Sequence, residues 1–282
     1  MNIDYKLMKS GEFFMGTAES HPERHADERS HKVILTVPFY IQTTPITVGQ
    51  WRKFISETNY KTGAEEYGAY HYSGDRDLSN DYKTQGFPPE KSGWQIDKKI
   101  NWKNPGFSQA DDHPVTCISY NDTQAFISWL NSKEKAVHRL PTEAEWEYAC
   151  RSGSMTSYYF GNNAELLEKF AWFEKNSDQK THPVKSFSPN AWGLHDMHGS
   201  VWEICQDLCR FDPEKQVVIS NTYRENISDP VCQVGDLRIC RGGSWQTFAD
   251  ACRSGYRYRV KPNRSSTSLG FRLVKEFSSS EE

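Results

Sequence analysis

The stretch that decides the fold is "RLPTEAEWEYACRSG", residues 139–153, because it carries a complete set of helix start and stop signals. Thr142 is the predicted N-cap, and Glu145 stands three residues later, where a capping box needs it. Trp146 and Cys150 are four residues apart, so they share the helix face that we expect to be buried. Gly153 suits the C-terminal stop. The sequence therefore predicts one short helix with Cys150 as a packed thiol.

The segments upstream of this helix add strands and a second helix. Residues 11–17 and 31–41 are apolar and partly alternating, which predicts a hairpin with an exposed, charged loop between its strands. The spacing then becomes helical, with Thr47 as N-cap and Gln50 at the capping-box position.

The centre of the chain is less regular. Residues 61–112 are polar and show no strong periodicity, which favours an irregular, packed insertion. A short strand is predicted at residues 115–120, followed by a helix that Asn121 or Asp122 caps. No repeat or linker divides the chain, so we expect residues 1–282 to form one α+β domain with little regular secondary structure.

Composition excludes several function classes. The net charge of −3 lacks the basic excess of a nucleic-acid-binding protein. No apolar run approaches the roughly 20 residues of a membrane span, and no signal peptide is visible. The chain as written is expected to be cytoplasmic, or extracellular or surface-displayed if a leader was removed. The chain has seven cysteines, an odd number, which favours reduced thiols over a disulfide framework. The expected binding partner is a protein or a small molecule.

The segment "HDMHGSVWEI", residues 195–204, has two interpretations. Gly199 allows a tight loop whose carbonyls converge, and Glu203 could complete a calcium shell with its carboxylate. In the alternative, the segment is a glycine turn with Glu203 paired to a nearby arginine. The residues alone leave both interpretations open.

The segment "RICRGGSWQTFADACRSGYRYR", residues 238–259, also has two interpretations. Arginines beside Cys252 could depress the pKa of its thiol and make it a nucleophile, and the alternative is a buried, inert thiol. The basic run that starts at Arg253 is expected to form a solvated face with stacked aromatic partners.

Seven motifs, in order along the chain, resemble the formylglycine-generating enzyme family, also called sulfatase-modifying factor domains. They are "GEFFMGT", "TPITVGQW", "HPVTCISYND", "HRLPTEAEWEYACRSG", "THPVKSFSPNAWGLHDMHGSVWEI", "RGGSW" and "GFRLV", and they span about residues 11–274. The resemblance implies a C-type-lectin-like fold, in which residues 238–274 form the lectin-type face.

The resemblance also implies structural calcium. Its ligands would be the carbonyls of His198, Gly199 and Val201 together with the Glu203 carboxylate, and a second calcium loop would lie near Asn176. Ser200 and Ile204 stand where the family usually has Asn and Trp.

The resemblance further implies what catalysis would need. True formylglycine generators bind copper through two cysteines, at the second and seventh residues past the aromatic of "RGGS-aromatic". In this chain the seventh position is Cys252 and the second is Thr247. A hydroxyl is a poor ligand for cuprous ion, which selects thiolate, so this departure argues against copper or iron and against sulfatase activation.

Three function classes remain. The first is a ligand- or protein-binding member, as in relatives whose C-terminal segment is diversified by retroelements. The second is a metal-dependent oxidoreductase acting on a thiol or small molecule through Cys252, and the third is a scaffold domain. We favour binding, because aromatic and arginine side chains are typical of recognition surfaces. The predicted display positions are Trp245, Gln246, Thr247, Phe248, Asp250, Tyr256, Tyr258 and Val260.

Overall fold

Each α-helix in the computed structural model, which describes residues 2–72 and 94–278, begins at a capping box. In each box the N-cap hydroxyl accepts the backbone N–H of the third helical residue, whose side chain returns a hydrogen bond to the N-cap. The helices are α1 (Val48–Thr58), α2 (Gly63–Tyr67), α3 (Tyr120–Lys133) and α4 (Glu143–Arg151), and 3-10 helices lie at Ala164–Lys169 and Ala249–Cys252.

The strands are short, with one exception, and form small sheets. They are β1 (Tyr5–Met8), β2 (Gly11–Met15), β3 (His31–Leu35), β4 (Phe39–Gln42), β5 (Ala69–Tyr72), β6 (Trp94–Asp97), β7 (His138–Arg139), β8 (Trp202–Asp212), β9 (Val217–Ile219), β10 (Ile227–Ser228), β11 (Leu237–Arg241), β12 (Tyr258–Val260), β13 (Leu269–Gly270) and β14 (Val274–Glu276). The long strand β8 anchors the largest sheet, ordered β12-β11-β8-β13, with β9 also paired to β8.

Three further sheets complete the described part of the chain. Their orders are β1-β4-β14-β7, β10-β3-β2 and the hairpin β5-β6. With 19% helix and 25% strand, more than half of the described residues lie outside regular elements. The predicted mixed α and β class with little regular structure is confirmed.

The predicted hairpin is present, but its second strand is interrupted. β2 and β3 pair antiparallel from Gly11↔Leu35 to Met15↔His31. The chain then leaves the sheet before Pro38, which lacks a backbone N–H, and β4 joins a different sheet beside β1 and β14. The loop between β2 and β3 was expected to be exposed, and this is wrong for its end, because Asp27 and Glu28 are buried.

Two predictions around α3 are also wrong. Residues 115–120 form no strand: their backbone donors reach isolated partners, as in the bond from the Val115 N–H to the Ile46 carbonyl. The helix cap is Ser119, two residues before Asn121 and three before Asp122, which the sequence indicated, and Asp122 completes the capping box instead. The insertion at 61–112 contains α2 and the hairpin β5-β6, and its residues 73–93 lie outside the described part.

The predicted helix at residues 139–153 is confirmed as α4, and its charges are buried. Glu143, Glu147 and Arg151 follow one another at four-residue intervals, so they lie on one helix face. Arg257, which directly precedes β12, donates to Glu143 at 2.7 and 2.9 Å, Arg241 of β11 donates to Glu147, and Arg151 pairs with Glu147 at 2.7 Å. All five side chains are at most 5% exposed. These pairs fix α4 against the largest sheet.

Candidate functional site

The loop after β11 contains two glycines whose backbone lies in the left-handed region of φ. Gly242 has φ +96° and Gly243 has φ +76°. A Cβ on Gly243 would lie 2.5 Å from the sulfur of Cys252. Glycine is therefore required there by backbone conformation and by the close approach of the thiol.

Cys252 and Thr247 are neighbours inside this loop. The Cys252 Sγ lies 3.6 Å from the Thr247 Oγ1, and the sulfur has no exposed surface. The Thr247 hydroxyl donates to the Ser244 carbonyl at 3.0 Å and accepts from the Ser244 N–H at 2.8 Å. The resemblance places a copper thiolate pair at these two positions, and the hydroxyl is already committed to the loop. The pair does not fit copper.

Burial also makes Cys252 a poor nucleophile. Desolvation raises the pKa of its thiol to about 12. A thiol with that pKa is protonated at neutral pH, and only the thiolate attacks or binds metal well. The geometry favours the buried, inert thiol over the nucleophile.

His198 lies against this thiol loop as a neutral imidazole. Its Nδ1 donates to the Cys252 carbonyl at 2.8 Å, and its Nε2 accepts from the Tyr159 N–H at 3.1 Å. Burial lowers the pKa of the imidazole to about 3. Because both nitrogens are used, His198 connects the loop to the segment around Tyr159.

Glu203 pairs with Arg272. The Arg272 Nε and Nη2 donate to the two carboxylate oxygens at 2.5 and 2.6 Å, and the Trp146 Nε1 donates at 2.7 Å. A cation bound to this carboxylate would lie beside the Arg272 guanidinium, so Glu203 does not fit the calcium shell. The contacts agree with the alternative interpretation, in which Glu203 pairs with a nearby arginine. Nearby, Gly199 has φ +68°, and Val201 is buried.

The second implied calcium loop does not offer a ready ligand either. The Asn176 side chain accepts from the Phe173 N–H at 2.9 Å and donates to the Ala171 carbonyl at 2.9 Å. Its amide therefore closes its own turn. Across residues 2–72 and 94–278, no group of three or more His, Cys, Asp or Glu side chains could hold a metal ion.

Replacing Glu203 with glutamine should destabilise the domain whether or not calcium is present. The neutral amide leaves the buried Arg272 charge without its partner, which costs about 2–3 kcal/mol. Denaturant unfolding with added calcium and with a chelator measures this. We expect the same loss in both buffers and no chelator effect on the unmodified chain. A chelator-induced loss that the Glu203→Gln substitution removes would restore the calcium interpretation.

The display positions differ in exposure from the prediction. Four of them are buried because the surrounding loops cover them: the Trp245 indole donates to the Thr267 carbonyl at 3.0 Å, and the Gln246 amide donates to Ser268 at 2.8 Å. The buried positions are Trp245, Gln246, Tyr256 and Val260. The half-buried ones are Thr247, Phe248, Asp250 and Tyr258.

The solvated face expected for the basic run is wrong for Arg253, Arg257 and Arg259, which are at most 3% exposed, whereas Lys261 is exposed. The expected stacking on aromatic rings is confirmed, because these three guanidiniums lie over Tyr256, Tyr223 and Phe211. Arg253 is 1% exposed and donates to Glu28 at 2.6 and 2.9 Å and to Asp250 at 2.5 Å. The partner Glu28 comes from the loop that was expected to be exposed. Sequence reasoning missed this contact. The only signal for it was the presence of acidic residues in the loop between β2 and β3 and of basic residues in the run that starts at Arg253.

Comparison with known proteins identifies the family. The sulfatase-modifying factor enzyme 1-like domain matches residues 4–277. The chain belongs to this domain family. This sulfatase-modifying factor domain is 31% identical to the formylglycine-generating enzyme of Streptomyces coelicolor, a match that covers 95% of this chain and 88% of that protein. It is 30% identical to the inactive C-alpha-formylglycine-generating enzyme 2 of Mus musculus, over 95% and 84%.

Solved structures show the same fold. PvdO from Pseudomonas aeruginosa superposes on the domain with a TM-score of 0.71 at 26% identity, covering 97% of this chain and 94% of that one. Treponema denticola variable protein 1 gives a TM-score of 0.70 at 22% identity, over 97% and 95%. In the part of the domain that the structure describes, no helix is long and apolar enough to cross a membrane.

Proposed function

We propose that this sulfatase-modifying factor domain is a binding protein and not a formylglycine generator. The observation that carries the proposal is the Thr247 hydroxyl 3.6 Å from the Cys252 sulfur, where the family's copper site needs a second thiolate. One protonated thiol and one committed hydroxyl offer cuprous ion no suitable pair of ligands. Without that pair, the oxygen chemistry of the formylglycine generators has no site in this loop.

The proposed recognition surface consists of three of the four half-buried display positions, Phe248, Asp250 and Tyr258, since the Thr247 hydroxyl is committed to its own loop. The Tyr258 ring stacks on Trp202 with centroids 4.7 Å apart. Tyr258 packs on the core cluster that contains Trp202, so its ring is supported from below. Rigid aromatic side chains of this kind lose little conformational freedom on binding, and this is why interfaces favour them.

The comparisons support binding in two ways. A relative that is named inactive is about as similar as one that is named an enzyme, so overall identity is compatible with lost activity. The fold of the Treponema variable protein is shared along nearly the whole chain. The more specific form of the proposal is that a retroelement diversifies the C-terminal segment. Of the eight display positions, the four that are more than marginally exposed, and so could contact a partner, are Thr247, Phe248, Asp250 and Tyr258.

Removing the two aromatic side chains of this surface should abolish partner capture. We expect the Phe248→Ala/Tyr258→Ala double variant to lose partners that the unmodified domain retains from its own cells, as measured by mass spectrometry. Leu7 and Val137, which are 44% and 53% exposed elsewhere, supply the matched control Leu7→Ala/Val137→Ala. Equal capture by both variants would contradict the surface. Cys252-dependent oxygen uptake with a thiol substrate would favour the oxidoreductase instead.

A further inference from the structure

Arg259 is a buried guanidinium without a hydrogen-bond acceptor. It lies in β12, opposite Ile239 of β11, and is 1% exposed. Its Nε, Nη1 and Nη2 have no hydrogen-bond partner in the described residues. Arg257, two residues earlier and just outside the strand, donates to Glu143, a carbonyl and a hydroxyl. Arg259 is therefore an exception among the buried arginines of this sheet.

The contact that Arg259 does make cannot satisfy it. Its guanidinium carbon lies 3.2 Å from the centre of the Phe211 ring, which covers it from one side. A ring face attracts the charge but accepts none of the five N–H donors in an ordinary hydrogen bond. Burial of a charge without paired acceptors is strongly unfavourable. The described residues supply no such acceptor to the Arg259 guanidinium.

The guanidinium keeps its charge despite burial. Desolvation lowers the pKa of Arg259 to about 10, which still leaves the side chain protonated at neutral pH. Asp27 is the acidic side chain that acts on it, but one carboxylate oxygen of Asp27 accepts from the Val218 N–H at 2.8 Å and neither oxygen bonds the guanidinium. The described residues therefore supply Arg259 with no hydrogen-bonded counter-charge.

We propose that Arg259 is the anchor of an anion-binding site that takes a small monoanion, preferably a carboxylate. The guanidinium fork can donate two parallel hydrogen bonds to the two oxygens of one carboxylate. No carboxylate of the described residues occupies that position. The site requires the half-buried Phe211 ring, which lies over the guanidinium, to move aside when the anion binds. This site is separate from the loop of Thr247 and Cys252 and goes beyond the proposed binding surface.

Titration with small anions tests the site. Melting temperature is measured in sodium formate, acetate and chloride, with ionic strength held constant by a bulky sulfonate. We expect the melting temperature of the unmodified domain to rise with the logarithm of the anion concentration, because the anion binds the folded state. Arg259→Met should remove this rise, and Phe211→Ala should shift it to lower concentrations.

The control is Arg238→Met in the adjacent strand β11. Arg238 stacks on Tyr120 and donates to the Gln206 carbonyl, so its loss should leave the anion response intact. A response to formate and acetate alone identifies a carboxylate site, and a response that includes chloride identifies a general monoanion site. If Arg259→Met does not fold, Arg259→Lys should weaken the response, because lysine lacks the fork. A flat titration of the unmodified domain, or an equal response in the Arg259 variants, would overturn the proposal.

Discussion

Replacing Glu143 with alanine should lower the free energy of unfolding by about 3–5 kcal/mol, because it leaves buried positive charge without a partner. Arg257 donates two hydrogen bonds to this carboxylate, and Arg241 lies 3.4 Å from it. None of the three side chains can reach water, since each is at most 3% exposed. Denaturant unfolding of the variant and the unmodified domain measures the loss.

Two controls separate burial from ion pairing as such. Arg52 and Asp111 form an ion pair whose side chains are 54% and 64% exposed, and Arg52→Met should change stability by only about 0–1 kcal/mol. The Glu143→Met/Arg257→Met double variant replaces the Glu143–Arg257 pair with apolar side chains, which should recover much of the loss. A Glu143→Ala loss as small as that of Arg52→Met would contradict the buried network.

The same network predicts the acid dependence of stability. Burial raises the pKa of Glu143, but Arg257 and Arg241 outweigh it, so its pKa lies below the usual value. Its contribution is full above the unfolded-state pKa of about 4.3 and is lost as pH falls through the lower, folded-state pKa. The stability difference between the unmodified domain and Glu143→Ala should therefore shrink in acid.

Thr247→Cys should give the domain a cuprous-ion site that the unmodified chain lacks. The substitution puts a second sulfur next to Cys252, at the spacing that the formylglycine generators use. Soft thiolates select Cu(I), and metal binding drives their deprotonation, so the raised pKa of Cys252 no longer excludes binding. Competition with a colorimetric Cu(I) chelator should give one copper per chain.

The matched control for this substitution is Ala249→Cys. It adds a half-buried thiol in the same segment, two residues further along and outside the contact between Thr247 and Cys252. We expect this variant to bind copper no better than the unmodified domain. Equal copper binding by both variants would mean that the position beside Cys252 has no special role.

The local parts of the fold could be predicted from the sequence. Thr47 and Thr142 were found as helix caps because a capping box is formed by residues three apart, whatever the rest of the chain does. Cys150 was found as a buried thiol for the same reason, since a four-residue spacing fixes the inner face of α4. The family motifs supplied the fold class.

The candidate site could be predicted only in part, because burial of charge is decided by distant segments. Arg253 looked solvated because its partner Glu28 is 225 residues away in the chain. Glu203 looked available for calcium because Arg272 follows it by 69 residues. The adjacency of Thr247 and Cys252, five residues apart, was predictable from the resemblance, since both lie in one glycine-held loop.

The copper content of the unmodified domain tests the central claim most directly. The protein is loaded with Cu(I) under reducing conditions, passed over a desalting column and compared with Cys252→Ala by elemental analysis. We predict no stoichiometric copper in either protein, because Thr247 and a buried, protonated Cys252 form no thiolate pair. One copper per chain in the unmodified domain, lost in Cys252→Ala, would contradict the binding-protein assignment and make the domain a metal-dependent oxidase.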